Sequence, residues 1–202
     1  DLTNVPEEEM ALRHYADSLL PLARKEWFPD GARLIDVGTG AGFPGMPLAI
    51  ARPDLKVTLL DSQRKRCGFL SAVCDELKLP NVTVLHARAE DGARGALREQ
   101  MDVAVARAVA PLNVLAEYLL PYVRVGGRML CWKGPAVREE MAAGERACKM
   151  LGGQAEGLYR LPIEGREHYV HSAIKISATA RRYPRKSGTP SKDPLGILPQ
   201  KP

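Results

Sequence analysis

Four stretches carry residue types at spacings that can do chemistry. In Asp36-Val-Gly38-Thr-Gly40-Ala-Gly42-Phe43-Pro44-Gly45, glycines crowd behind an acid that lies in a short apolar run. Glycine lets the backbone turn sharply and come close to a ligand, because no Cβ stands in the way. Leu60-Asp61-Ser62-Gln63 sets a second acid about 20 residues further on, where it can accept hydrogen bonds from ribose hydroxyls. Ala87-Arg88-Ala89-Glu90-Asp91 offers acids that can accept from an exocyclic amino group, or can simply suit a helix N-terminus by charge. Arg107 ends a fourth apolar run. Its guanidinium does not titrate, so it can position a base, a phosphate or a carboxylate, or cap a strand end, but it cannot act as an acid or base.

The elements that must hold these residues follow from the apolar pattern. Short runs at 33–37, 56–61, 82–86, 102–106 and 128–132 alternate with helical periodicities near 46–52, 64–78, 111–123 and 136–151. Apolar strands separated by helices predict a parallel sheet covered on both faces, wound by right-handed crossovers. Runs at 159–163 and 168–176 have no long helix between them and predict a hairpin closing one edge. The fold class expected is therefore α/β, Rossmann-like, with a mostly parallel doubly wound sheet and an antiparallel edge hairpin. Ligands in such sheets lie beyond the carboxyl ends of the strands, where all four stretches fall. Pro6 and the acids after it open a helix expected over 7–27. The division expected is an N-terminal helical cap at 1–30, a ligand-binding domain at 31–180 and a C-terminal tail at 181–202.

The chain has 202 residues, 45% hydrophobic and 26% charged, enough for one domain that needs no disulfide or metal to hold it. No run approaches the length of a membrane span, and the acidic start lacks the apolar stretch of a signal peptide. Cys67, Cys74, Cys131 and Cys148 show no C-x-x-C spacing, so buried reduced thiols in a cytoplasmic protein are expected, and no metal site. The formal charge is +5. Residues 181–202 hold Arg181, Arg182, Arg185, Lys186, Lys192 and Lys201 against Asp193 alone, which accounts for the whole excess. That tail has five prolines and no periodicity, so an extended or disordered arm is expected. If all six cations met phosphate, the salt slope of RNA binding would be roughly −4.

Two ligands compete for the glycine loop. Gly40-x-Gly42-x-x-Gly45 fits a dinucleotide fingerprint, and Asp36-x-Gly38-x-Gly40-x-Gly42 fits the loop of S-adenosyl-L-methionine methyltransferases. The second is favoured, since an acid two residues before the first glycine can reach the cofactor's amino acid portion. No Tyr-x-x-x-Lys is present, and the chain is too short for a substrate domain. The fourth run ends without the Asn/Asp/Ser-Pro-Pro-aromatic segment used on exocyclic amines, and no Pro-Cys offers a thiolate for carbon methylation. A ring nitrogen such as guanine N7 fits what remains, because attack there removes no proton and alignment does the work. The alternatives are a methyltransferase acting on another RNA or a small molecule, and a nucleotide-binding regulator without catalysis.

Other residues tempt a function. His14, Asp17 and Ser18 share a helix face, a spacing that does not give a catalytic triad and suits a packing or substrate-facing patch. His168 and His171 fall on opposite faces of a strand, so a metal pair is not expected. Lys133 could meet phosphate or only solvent, and Phe43 or Trp132 could stack on a base or fill a core.

Taken together, Arg13-His-x-x-Asp-Ser18, Asp36 to Gly45, Leu60-Asp-Ser62, Arg64-Lys-Arg-Cys-Gly-Phe-Leu70, Arg88-Ala-Glu90, Ala106-Arg-Ala108 and Tyr183-Pro-Arg-Lys-x-Gly-Thr-Pro-x-Lys-x-Pro-Leu195 resemble one family, in order along the chain. It is the bacterial small-subunit ribosomal RNA guanine-N7 methyltransferases, also called glucose-inhibited division protein B. The Phe-Pro-Gly extension of the loop and the Tyr-Pro-Arg-Lys segment are its specific marks. The resemblance implies S-adenosylmethionine as donor and a guanine N7 in the 530 loop of 16S RNA (position 527 in ribosomal numbering) as acceptor. It implies cofactor contacts at Gly38, Phe43, Asp61, Ser62, Gln63, Ala89, Glu90 and Arg107, to which the glycine loop adds Gly40. Lys133, Arg181, Arg182, Arg185 and Lys186 are the expected contacts to RNA of the small ribosomal subunit. A monomer without membrane association is the default.

Overall fold

The computed structural model describes residues 6–107 and 110–198. The N-terminal segment starts as α1 (Glu7–Met10), widens into a π-helical turn at Ala11–Ala16, tightens to α2 (Asp17–Leu19) and ends in 3₁₀ turns at Leu20–Ala23 and Lys25–Trp27. The single helix expected over 7–27 is thus corrected to a broken one. Pro21 has no N–H to continue an α-ladder. The wide turn sets His14 and Asp17 on the same partner, Arg107.

Then the alternation begins: β1 (Arg33–Val37), α3 (Gly45–Ala51), β2 (Lys56–Asp61), α4 (Arg64–Glu76), β3 (Val82–His86), α5 (Ala89–Gly92), β4 (Met101–Arg107), α6 (Leu112–Leu119), β5 (Val123–Lys133), α7 (Val137–Met150), β6 (Gly153–Arg160), β7 (Tyr169–Lys175) and α8 (Thr189–Lys192). The seven strands lie in the order β3-β2-β1-β4-β5-β7-β6. The first five are parallel, and β7 runs antiparallel to β5 on one side and β6 on the other. The first arm of the edge hairpin starts earlier than its apolar pattern suggested. Gln154 and Glu156 break that pattern, and the pairing shifts register between Ala155 and Gly157.

Side chains alternate across the sheet and build two cores. Leu34 joins Leu48, Leu59, Leu70 and Trp132 on one face. Ile35 and Val37 join Leu115, Leu119, Cys131 and Cys148 on the other. Truncating one such leucine to alanine costs about 2–5 kcal/mol. All four cysteines are buried and unpaired, and burial pushes the Cys131 and Cys148 thiols well up. Among the described residues no helix is long and apolar enough to cross a membrane.

The expectation of a disordered C-terminal arm is corrected. Residues 181–198 follow an irregular path but are packed onto the domain. Tyr183 and Leu195 are buried in the core. Arg98 donates to the carbonyls of Thr179 and Tyr183, and Asn113 donates to that of Leu195. Between these anchors Arg185 forks onto Glu117, a carboxylate wholly removed from solvent. A buried charge needs such a partner, and here the partner comes from a segment 68 residues away.

Candidate active site

Strand order reverses between β1 and β4, which opens a crevice beyond their carboxyl ends. The glycine loop lines it. Gly38 and Thr39 both donate backbone N–H to the Leu60 carbonyl, so the loop hangs from the end of β2. Gly40 takes φ +61° with no protein atom within 4 Å of where a Cβ would stand. Gly45 has the opposite reason to be glycine: its Cβ would lie 2.5 Å from Leu59 and 2.8 Å from Asp36.

Asp36 is fully buried under this loop. Its Oδ2 accepts from the Thr39 hydroxyl at 2.7 Å and the Gly45 amide at 2.8 Å. Its Oδ1 is buried with no hydrogen-bond partner among the described residues. Burial raises its pKa to about 6, against the pull of Thr39, Gly45 and Arg107. An orphaned carboxylate oxygen beneath this loop fits a ligand that brings an ammonium group, reached through water. Asp61 sits at the end of β2, where Oδ2 accepts from the Gly40 amide at 3.0 Å and Oδ1 from the Gln63 amide at 2.8 Å. It braces the loop while retaining acceptor capacity for hydroxyls.

Beside the loop lies a cleft of about 160 Å³. Gly38, Ser62, Ala89 and Glu90, four of the residues expected at the cofactor, line it together with Tyr118 of α6, which sequence reasoning did not single out. Tyr118 sits mid-helix in a run without turn or glycine signals, so nothing in the local pattern marks it. Gln63 caps α4 from an exposed position and is not among the cleft's lining residues.

Phe43 and Arg107 belong to a different cluster. Arg107 lies 5.0 Å over the Phe43 ring, and His14 stacks on that ring at 4.6 Å. Arg107 donates to Asp17 Oδ2 and meets His14 Nδ1, both at 3.1 Å. Burial, then the Arg107 guanidinium, holds the His14 imidazole below its usual range. Asp17 is 1% exposed, and its Oδ1 meets His168 Nδ1 at 2.5 Å. The Ser18 hydroxyl bonds the His14 carbonyl, not its ring, so no triad forms. His171 lies apart from His168, buried with both ring nitrogens unpartnered, and burial lowers its pKa to about 4. Its ring stays neutral at pH 7.

The cations expected at phosphate divide into two groups. Lys133 is tied to Glu140 at 2.7 Å and to the Ala110 carbonyl at 3.0 Å. Arg185 is tied to Glu117 and to Asp193. Both serve the fold instead of facing solvent. Arg181, Arg182, Lys186 and Lys192 are exposed, and Lys201 lies outside the described residues. Trp132 fills the core, with its Nε1 donating to the Asp17 carbonyl.

A family profile described as rRNA small subunit methyltransferase G (GidB) matches residues 1–168. The chain is similar to the ribosomal RNA small subunit methyltransferase G of Alkaliphilus oremlandii, 48% identical over 199 residues that span 96% of this chain and 83% of that one. Its counterpart in Leuconostoc mesenteroides is 46% identical over 200 residues, with the same coverage. Among solved structures, a SAM dependent methyltransferase from Aquifex aeolicus superposes with a TM-score of 0.62 at 17% identity, covering 85% of this chain and 94% of that one. A 16S rRNA (adenine(1408)-N(1))-methyltransferase from Catenulisporales acidiphilia superposes with a TM-score of 0.60 at 15% identity, covering 80% and 93%. At such identities these two speak for the fold alone.

Proposed function

The chain belongs to the rRNA small subunit methyltransferase G family, and from that premise we propose that it transfers a methyl group from S-adenosylmethionine to N7 of a guanine in the 530 loop of 16S RNA. The observation that carries this reading is a glycine loop hung on Asp36 and Asp61 beside a cleft lined by Gly38, Ser62 and Glu90.

The donor, when bound, supplies a methyl carbon made electrophilic by its sulfonium. Asp36 Oδ1, enclosed beneath the loop, would accept from its ammonium through water, and that charge would favour the ionised carboxylate. Asp61 would accept from the ribose hydroxyls, and Glu90 from the adenine amino group. Gly38 and Gly40 keep the backbone low enough for the ligand to sit against it. Phe43 and Arg107 then orient groups at the reacting end. No side chain there needs to take a proton, because a ring nitrogen attacks with a free lone pair. Arg107 cannot titrate, and the depressed His14 stays neutral and engaged with it. Orientation is the chain's contribution, and well-aligned encounter supplies about 7–11 kcal/mol of barrier reduction.

RNA as partner is supported by the exposed Arg181, Arg182, Lys186 and Lys192. With Arg185 withdrawn into the fold, each remaining phosphate contact contributes about −0.7 to the salt slope. Free buried thiols support a reducing, cytoplasmic setting, and a monomer is the working state. The test is mass spectrometry of 16S RNA from a strain lacking the gene. One N7-methylguanine should disappear and return on complementation; an unchanged modification profile overturns the assignment.

A further inference from the structure

We propose that the segment Arg185 to Asp193 is a positioning element of the cofactor cleft, holding Glu90 through the Gly188 amide and Tyr118 through Ser191. The proposal rests on the reading of that cleft as the adenine site. Two of its lining side chains, Glu90 of α5 and Tyr118 of α6, take their hydrogen bonds from outside their own elements. Glu90 is 3% exposed, and among the described residues the Gly188 N–H is the donor to its carboxylate, reaching Oε1 at 2.7 Å. The neighbouring Ser187 hydroxyl donates to Asp91 at 2.9 Å. The Tyr118 hydroxyl and Ser191 Oγ lie 2.7 Å apart. Contacts thus reach both side chains from one short piece of chain.

That piece is itself held firmly enough to transmit a position. Upstream, Arg185 donates its backbone amide and its guanidinium to Glu117, one residue before Tyr118. Downstream, the same guanidinium reaches Asp193, and Leu195 is anchored by Asn113. Gly188 takes φ +83°, a conformation that side chains disfavour, at the residue whose amide meets Glu90. The turn and the short α8 between the anchors are therefore shaped to deliver one N–H and one hydroxyl to the cleft.

A carboxylate without its donor samples rotamers that cannot meet the adenine amino group. Apparent affinity then falls by the fraction of time the competent rotamer is lost. Gly188→Ala, whose Cβ meets open space but whose φ is strained, should displace the amide. Ser191→Ala removes the tyrosine's partner from an exposed site, and Ser191→Thr keeps the hydroxyl. Calorimetry with S-adenosylhomocysteine should show about 3–10-fold weaker binding for Gly188→Ala and Ser191→Ala, with recovery in Ser191→Thr. The effect should fall on KM for the methyl donor, not on kcat. Discrimination against S-inosylhomocysteine, which lacks the amino group, should shrink in Gly188→Ala and persist in Ser191→Ala. Affinities within twofold of the parent in both variants, while Glu90→Ala binds poorly, overturn the positioning role. If Glu90→Ala binds as the parent does, the adenine reading of the cleft falls, and this proposal with it.

Discussion

The two halves of the crevice are built in different ways. On the side of the glycine loop, carboxylates meet backbone amides: Asp36 holds Gly45, and Asp61 holds Gly40 and Gln63. On the side of Arg107, side chains meet side chains, with Asp17 between Arg107 and His168, and His14 against Phe43. A site made of backbone contacts is fixed as soon as the strands pair. A site made of charged side chains drawn from distant segments depends on every partner staying in place, because a buried charge left alone is costly.

The sharpest way to break the first half is at its tightest point. Gly45→Val should place side-chain atoms where Leu59 and Asp36 already are, collapse the loop and weaken S-adenosylhomocysteine binding by more than about 100-fold, with a fall in Tm. Gly40→Val is its control: no protein atom lies within 4 Å of the new Cβ, so the protein should fold with a smaller loss of stability, about 1–2 kcal/mol for the φ of +61°, yet bind no cofactor. Unchanged affinity in Gly40→Val would mean the ligand does not approach the loop there.

Breaking the second half should cost stability first. Asp17→Ala strips Arg107 and His168 of their shared carboxylate, and loss of one partner of such a buried pair costs about 3–5 kcal/mol. Denaturant unfolding measures this. Cofactor affinity should fall less than tenfold, far below the Gly45→Val effect; an equal loss would show that the two halves act as one.

A pH dependence, spread over about two pH units, is expected within the glycine-loop half. Asp36 has its folded pKa raised to about 6 from an ordinary 3.8, so the folded apo-protein holds a proton that the unfolded chain releases between these values. Apo stability should therefore decline as pH rises from about 4 to about 6, by at most roughly 3 kcal/mol. Affinity for a ligand bearing an ammonium should move the other way, rising through pH 6 as the carboxylate ionises. Asp36→Asn should flatten both profiles; a parent protein flat in both from pH 5 to 8 would remove Asp36 from the ligand's contacts.

The contrast also explains what could be read in the chain. Backbone-built features carry local signals, since glycines and strand-end acids recur at spacings that the fold itself imposes. The β1, β2 and β3 bounds and the loop acids were legible for that reason. Pairs such as Asp17 with His168, 151 residues apart, leave no spacing to detect. The proline-rich tail misled because its order comes from a few anchors, Tyr183, Arg185 and Leu195, at irregular intervals, and composition registers only the prolines. Pro21 was visible throughout, yet the apolar period around it outweighed the break it causes.

Glu90 and Gly188 stand 98 residues apart, and this separation sets an order of events during translation. An emerging chain carries its glycine loop, Glu90 and finally β7 before the amide that steadies Glu90 has been made. A polypeptide interrupted after Lys175 holds every strand of the sheet but not that amide. The contact between Gly188 and Glu90 can therefore form only when nearly all of the described chain is in hand.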